Sequence, residues 1–241
     1  MSARYPLDNT GLSREKAVSR AWMFHAYRAI TGFSHLPPEQ QYWCLAGRLV
    51  DSAGKLQPLC EPLQAIGDRL IGPEQYIGVD HDPGRAKQNR RQAQLPLTLI
   101  ESDIARALRE YRKRGILRPG LINLDTAHEP RLAVRLLARV YRELRLIENG
   151  LQTVVFLNVL MSRYRRYDDD RVVEHISRVP LLAGDEDNDG MLGSGWNMLQ
   201  RTHEYLGSGT ASRSHMKIYC LFRGFQTAEA VRAIDYEDLL T

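Results

Sequence analysis

The amino-acid sequence predicts an α/β fold with a mostly parallel sheet, and two patterns in the 241-residue chain indicate it. Short apolar runs alternate with longer amphipathic stretches between Tyr42 and Leu157, as in repeated strand–helix units with right-handed crossovers. Two later β segments, 202–208 and 215–222, are joined by a loop rich in Gly and Ser and predict a hairpin. The expected architecture is a doubly wound sheet closed by a C-terminal antiparallel β hairpin.

Hydrophobic periodicity predicts helices and strands that alternate along the chain. A first helix is predicted from Ser13 to Ile30, and Pro37-Pro38 indicates the start of a short second helix. Each predicted parallel strand is followed by a Gly, an acid or an Asn; these strands are 42–46, 75–79, 97–100, 120–124 and 151–157. The predicted helices between them are 61–71, 84–91, 104–114 and 131–149. We therefore expect an N-terminal helical extension, 1–40, and one α/β domain, 41–241.

Composition places the chain among ordinary globular proteins. Hydrophobic residues make up 43% and charged residues 26%, the net charge is +4 and the pI is near 9.0. These values exclude collagenous, low-complexity and wholly disordered classes. No apolar run is long enough to span a membrane, and residues 1–10 have no signal-peptide core. The three cysteines lack metal-ligand spacing and predict buried, reduced thiols in a cytoplasmic protein.

Acidic residues recur at the ends of the predicted strands. Asp80, Asp103 and Asp125 are separated by 23 and 22 positions, about one strand–helix unit each, and Gly47 ends the first strand. Because parallel strands place their carboxyl ends at one edge of the sheet, we expect these residues near a ligand site there. The alternative is that each Asp caps the following helix.

The order of these segments is similar to that of a known family. Four segments, followed by the hairpin, resemble the class I S-adenosylmethionine-dependent methyltransferases over residues 42–225; they are Leu45-Ala46-Gly47, Gly78-Val79-Asp80-His81, Glu101-Ser102-Asp103 and Asn123-Leu124-Asp125. The resemblance implies a Rossmann-like fold, S-adenosylmethionine as cofactor and transfer of a methyl group to an unidentified acceptor.

The resemblance also implies roles for individual residues on the cofactor side. Ala46 and Gly47 belong to the first motif, which binds the cofactor. Asp80 is expected to bind the ribose hydroxyls, His81 to contact the adenine and Asp103 to accept a hydrogen bond from the adenine amino group.

On the substrate side, Asp125 faces the methyl donor by the same resemblance. His128 and Glu129 are further candidate catalytic groups, although they are equally expected as caps of the following helix. No Pro-Pro-aromatic sequence follows Asp125, and no cysteine follows a proline, so neither known base-methylating chemistry is supported.

The first motif departs from the family pattern. The family has a glycine-rich loop close to GxGxG, where glycines let the backbone approach the cofactor. Here Gly47 is followed by Arg48 and a long connection, 48–60, without such a triplet. Either this loop forms the methionine end of the pocket differently or cofactor binding is weak or lost. The competing hypothesis is therefore a non-catalytic nucleic-acid-binding or protein-interaction module on the same fold, and oligomeric state stays open.

Basic clusters make nucleic acid a candidate partner. Arg163, Tyr164, Arg165 and Arg166 follow the fifth strand, where interleaved Arg and Tyr suit contacts to phosphates and bases. The clusters 85–91 and 112–114 are expected to be solvated surface.

The acidic segment 185–190 copies the opening of a calcium-binding loop, but the twelfth position of such a loop is Trp196 here and supplies no carboxylate. This segment is therefore interpreted as a polar loop.

Overall fold

A mixed sheet with helices on both faces forms the centre of the protein. The computed structural model describes residues 14–126, 130–147, 152–161, 169–179, 196–206, 213–223 and 225. The described helices are α1 (Arg14–Thr31), α2 (Glu61–Gly67), α3 (Pro83–Asn89), α4 (Ile104–Lys113), α5 (Pro130–Leu144) and α6 (Asp169–Ser177). The strands are β1 (Gln41–Leu45), β2 (Tyr76–Asp80), β3 (Thr98–Glu101), β4 (Pro119–Asp125), β5 (Thr153–Leu160), β6 (Trp196–Leu206) and β7 (Arg213–Arg223).

The seven strands have the order β3-β2-β1-β4-β5-β7-β6. Strands β1 to β5 are parallel, whereas β7 pairs antiparallel with both β5 and β6. The predicted mostly parallel sheet with a C-terminal antiparallel hairpin is confirmed. The chain builds outward from β1 to β3 on one side and from β4 on the other, so the strand order reverses between β1 and β4. Ligands of doubly wound sheets bind beside such a switch point, at the carboxyl ends of the strands.

Each face of the sheet has its own apolar core. On the first face, α1 and α2 cover side chains of β1, β4, β5 and β7, and the rings of Trp22 and Phe156 pack edge to face with their centroids 6.2 Å apart. On the second face, α4, α5 and α6 cover the alternate side chains, and the ring centroids of Trp43 and Tyr111 are 4.8 Å apart. This two-sided burial follows from the near-continuous apolar runs of the central parallel strands. Helix α1 is thus packed on the sheet, while the proposed domain boundary at residue 40 stays a prediction.

Several predicted element boundaries differ from the structure. The short helix expected after Pro37-Pro38 is wrong, because residues 38–39 form a turn and β1 begins at Gln41. Helix α2 ends at Gly67, and Arg69 then adopts a left-handed conformation, φ 57°, that turns the chain away from the helix. Strand β6 begins at Trp196, six residues earlier than expected, because all eleven of its residues pair with β7.

Two further observations concern the described chain as a whole. None of the described helices is long and apolar enough to cross a membrane. The three cysteines are buried thiols, and burial raises the pKa of Cys44 and Cys220 well above the usual range. These thiols therefore stay protonated at neutral pH.

Candidate cofactor and substrate site

The carboxyl ends of β1, β2 and β4 form the edge of the sheet beside the switch point, called the rim below. Ala46 extends the pairing of β1 with β2, since its N–H donates to the Val79 carbonyl at 2.9 Å. Gly47 follows and is exposed, and a Cβ atom placed there would meet nothing within 4 Å. The backbone beside β1 therefore faces open space.

Asp80 ends β2 as a buried carboxylate whose partner is Arg85. The Asp80 side chain is 4% exposed. Arg85 donates from Nε to Oδ2 at 2.9 Å and from Nη2 to Oδ1 at 3.2 Å, and the Asp82 N–H donates to Oδ1 at 2.9 Å. The hydrogen bonds that Arg85 donates to Asp80 raise the pKa of Arg85 above its usual value. A ligand diol reaches both oxygens only when Arg85 swings away.

The start of α3 holds Arg85 at this position. Asp82 caps the helix by accepting from Gly84 N at 2.8 Å and from Arg85 N at 3.1 Å, and Pro83 occupies the first turn. Hydrogen bonds from these backbone N–H groups, that of Arg85 first, lower the pKa of Asp82 despite some desolvation. His81 is exposed between β2 and this cap. Helix capping thus falls to Asp82 and leaves Asp80 available to the rim.

Asp103 has both of its oxygens in structural contacts. Oδ1 caps α4 by accepting from Ala105 N at 3.0 Å and Arg106 N at 3.2 Å. Arg139 of α5 adds a bidentate ion pair, with Nη2 at 2.7 Å from Oδ1 and Nη1 at 3.0 Å from Oδ2. The capping interpretation therefore holds for Asp103. Its contact with an adenine amino group stays a prediction; Oδ2 accepts only one of these hydrogen bonds and has a second lone pair for such a donor.

Asp125 ends β4 on the same face as Asp80 and is paired with α1. Lys16 donates from Nζ to Oδ2 at 3.1 Å, and both side chains are 20% exposed. Burial alone raises the pKa of Asp125, but the charges of Lys16 and Arg20 outweigh it and the pKa lies below its usual value. Asp125 is therefore a carboxylate at neutral pH, and a weak base.

A buried polar network joins the rim to α1 and α2. Glu61, the first residue of α2, accepts hydrogen bonds from the Tyr42 hydroxyl and, at 2.7 Å, from the Asn123 amide. Arg20 of α1 lies with Nε 3.7 Å from the second carboxylate oxygen and donates from Nη1 to the Leu59 carbonyl at 2.9 Å. The charges of Glu61 and Arg20 thus neutralise each other beneath the helices.

The network orients Asn158 on β5. Because Asn123 donates its amide N–H to Glu61, its oxygen faces Asn158, which donates to it at 2.8 Å. Asn158 must then turn its own oxygen away, and this buried Oδ1 has no hydrogen-bond partner among the described residues. Asn158 lies beside Asp125 in the strand register. Asp125 and Asn158 are therefore neighbours at the ends of β4 and β5, and the unpaired oxygen of Asn158 is buried.

The connection after β1, which has no glycine-rich triplet, is held by a side chain of α3. Asn89 of α3 fixes it at two points, by donating to the Gly47 carbonyl at 2.9 Å and accepting from Leu49 N at 3.0 Å. An isolated bridge between Val50 and Leu56 folds the loop onto itself. Asn89 thus fixes the backbone on both sides of Arg48.

Sequence reasoning missed several residues of the site. Arg20 and Glu61 lie in predicted helices, where a lone polar residue gives no signal of a shared network. Asn158 was recognised only as the residue that ends the fifth predicted strand. Arg85 was expected to be solvated surface, and the structure instead pairs it with Asp80. In the 112–114 cluster, Arg112 is ion-paired with the buried Glu143 at 3.1 Å.

Part of the predicted substrate side lies outside the described residues. These residues are His128, Glu129, Arg163, Tyr164, Arg165 and Arg166, together with the acidic segment 185–190. Among the described residues, no group of His, Cys, Asp and Glu is arranged to hold a metal ion.

Comparisons with known proteins give structural similarities only. No family model matches the chain, and no curated protein matches its sequence. The structure is similar to precorrin-6y C5,15-methyltransferase from Geobacter metallireducens GS-15, with 14% identity, a TM-score of 0.43, and coverage of 92% of this chain and 100% of that one. It is also similar to Aeropyrum pernix fibrillarin with bound S-adenosyl-L-methionine, with 16% identity, a TM-score of 0.37, and coverage of 82% and 76%.

Proposed function

We propose that this protein is an S-adenosylmethionine-dependent methyltransferase that binds its cofactor at the rim. The observation that carries the proposal is Asp80, a buried carboxylate at the end of β2, one strand away from the switch point. Its position suits the ribose hydroxyls, because a carboxylate accepts hydrogen bonds from both groups of a vicinal diol. The strand order, with antiparallel β7 between β5 and β6, agrees with the fold that the sequence resemblance implies.

The residues around Asp80 fit the cofactor once Arg85 has moved. The Arg85 side chain is 38% exposed, so its guanidinium can rotate toward the solvent, where water molecules accept hydrogen bonds in place of Asp80. Ala46 and Gly47 line the open backbone beside β1, and His81 is exposed where an adenine ring would stack. Asp103 is the proposed partner of the adenine amino group. S-adenosylmethionine supplies an electrophilic methyl group on a sulfonium, which requires mainly alignment with the acceptor.

Asp125 is proposed to orient the acceptor. Its lowered pKa makes it a poor proton acceptor, so a hydrogen bond to an N–H or O–H of the acceptor suits it better than deprotonation. His128 and Glu129 are proposed as the groups that take up a proton where the acceptor loses one. Arg163, Tyr164, Arg165 and Arg166 are proposed to contact an acceptor that is nucleic acid, in a cytoplasmic setting.

Calorimetric titration with S-adenosylhomocysteine tests the proposal. The wild type is expected to bind, and Asp80→Asn to bind at least about tenfold more weakly, because a diol loses charge-assisted hydrogen bonds. Asp68→Asn is the matched control, since Asp68 pairs with Arg28 at the opposite end of α1 from Lys16. Absence of binding by the wild type contradicts the proposal.

The second candidate is a non-catalytic nucleic-acid-binding module. The ion pair of Arg85 with Asp80 favours it, because the carboxylate is satisfied without any ligand. This candidate predicts binding to RNA or DNA that weakens steeply with salt, depends on Arg163, Arg165 and Arg166, and needs no nucleoside. A salt series of gel shifts with and without S-adenosylhomocysteine separates the two functions.

A further inference from the structure

Arg48 stands at the rim with a buried, unsatisfied guanidinium nitrogen. It follows Gly47 directly, beside the open space at the end of β1, and its side chain is half-buried. The Nε atom is buried and has no hydrogen-bond partner among the described residues. A buried donor without a partner costs about 1–3 kcal/mol and more when it is charged. Because the side chain is only half-buried and forms no hydrogen bond or ion pair with the described residues, the rest of its guanidinium is available to an acceptor on a ligand.

Three other basic side chains at the rim and in the network beneath it are already neutralised by carboxylates. Lys16 pairs with Asp125, Arg20 with Glu61 and Arg85 with Asp80. No carboxylate of the described chain forms an ion pair with Arg48, although the backbone on either side of it is fixed by Asn89. The Arg48 backbone is thus held in place while its charge is left for an external anion.

The position of Arg48 relative to Asp80 indicates which part of the ligand lies near Arg48. Asp80, on β2, is the diol site, and Arg48 follows β1, the neighbouring strand on the side of the switch point. A ligand whose ribose lies on Asp80 and whose 5′ substituent runs toward β4 passes Arg48 on the way to Asp125. In S-adenosylmethionine the 5′ substituent ends in an amino acid, and its carboxylate is the cofactor's only anionic group.

We infer that Arg48 binds the carboxylate of the amino-acid end of the cofactor, with its planar guanidinium taking the place of the missing glycine-rich loop. This inference rests on the proposed cofactor site. It explains why a large basic residue stands where the family has small ones: the backbone N–H groups that a glycine loop would offer are replaced by side-chain donors.

The test compares two nucleosides that differ in one group. S-adenosylhomocysteine carries the carboxylate, whereas 5′-(3-aminopropylthio)-5′-deoxyadenosine lacks it and keeps the adenosine, the sulfur and the amine. The wild type is expected to prefer S-adenosylhomocysteine at least about tenfold in calorimetric titration. Arg48→Gln is expected to abolish this preference and to leave the affinity for the decarboxylated nucleoside unchanged.

Arg135→Gln, on the exposed face of α5, is the matched control and is expected to keep the preference. Thermal unfolding checks that Arg48→Gln is folded, as expected for a side chain that loses no ion pair, and Arg48→Lys is expected to restore part of the preference. If the wild type binds both nucleosides equally, or Arg48→Gln keeps the preference, the inference is overturned while the cofactor site stands. If the wild type binds neither nucleoside, the proposed function fails and the inference fails with it.

Discussion

Arg85 competes with the proposed ligand for the carboxylate of Asp80. Asp80 receives two hydrogen bonds from Arg85 and one from the Asp82 N–H, so a diol has to replace the guanidinium. Because the Arg85 side chain is 38% exposed and Asp80 only 4%, Arg85 is the partner that moves. Breaking this ion pair costs free energy, and this cost weakens the binding of any nucleoside.

Replacing Arg85 by Met is therefore expected to tighten nucleoside binding. The methionine fills similar volume but donates nothing, so the diol no longer displaces an ion pair, and the affinity for S-adenosylhomocysteine should rise about tenfold. Calorimetric titration measures the change, with Arg90→Met as control because Arg90 pairs with the exposed Glu101. Weaker binding by Arg85→Met would instead mean that the guanidinium contacts the ligand directly.

Asp125 gives the protein a pH-dependent contribution to stability. Its folded-state pKa is lowered, so its ion pair stabilises the fold above the unfolded-state pKa, about 3.9, and this contribution is lost as pH falls through the folded value. Asp125→Asn is expected to be less stable than wild type by about 1 kcal/mol at pH 7. The difference should shrink below about pH 4, measured by urea unfolding across the pH range. A difference that is constant with pH would contradict the ion pairing with Lys16.

At the scale of elements, the buried network connects α1, α2 and three strands of the sheet. Arg20 and Glu61 are 6% and 4% exposed, so neither charge has water as an alternative partner. Gln64 of α2 also donates to the Ala17 carbonyl of α1 at 2.6 Å. The two helices are thus positioned by polar contacts as well as by the apolar core, and the position of α1 fixes Lys16 over Asp125.

Glu61→Gln is expected to destabilise the protein strongly. The amide keeps an acceptor for Tyr42 and Asn123 but leaves Arg20 as a buried, unpaired charge, which costs about 3–5 kcal/mol. Chemical unfolding measures the change, and Arg20→Met in the same background should recover part of it. Glu110→Gln breaks only the exposed pair with Lys113, at 3.6 Å, and should cost less than about 1 kcal/mol. Equal losses at the two sites would contradict the burial of the network.

At the scale of the whole molecule, two apolar cores lie on opposite faces of one sheet, and both cores contain side chains of the same strands. Trp22 of α1 belongs to the first face, whereas Trp43 and Trp196 belong to the second. Each central strand contributes alternate side chains to both faces, so neither core survives the loss of the other. The described part of the chain is therefore expected to unfold as one unit.

Single-tryptophan variants test this cooperativity. A variant that retains only Trp22 and one that retains only Trp196 are expected to show the same urea midpoint by fluorescence, and both midpoints should match the transition in far-UV circular dichroism. Each variant is its own control, because both signals come from the same sample. An earlier transition at Trp22 would mean that α1 detaches before the sheet unfolds, as a separate N-terminal extension would.

The sequence by itself determined the α/β class, the five parallel strands, the hairpin and the alignment of Gly47, Asp80, Asp103 and Asp125 at strand ends. These features follow from local periodicity and from turn residues, which the order of residues contains directly. The boundaries that were wrong, at Pro37-Pro38 and at the start of β6, depend on strand pairing with distant residues.

Only the tertiary structure decided which partners each strand-end acid has: Asp80 pairs with Arg85, Asp125 with Lys16 and Asp103 with Arg139. Asp103 is engaged by the cap of α4 and by Arg139, 36 positions away, and Glu61 meets Asn123 across 62 positions. Such pairs form between side chains whose separation in sequence carries no signal, and a helix-capping Asp and a ligand-binding Asp look alike at the end of a strand. The physical reason is that burial and partners, rather than residue type, set the charge, the hydrogen-bonding capacity and the accessibility of each carboxylate.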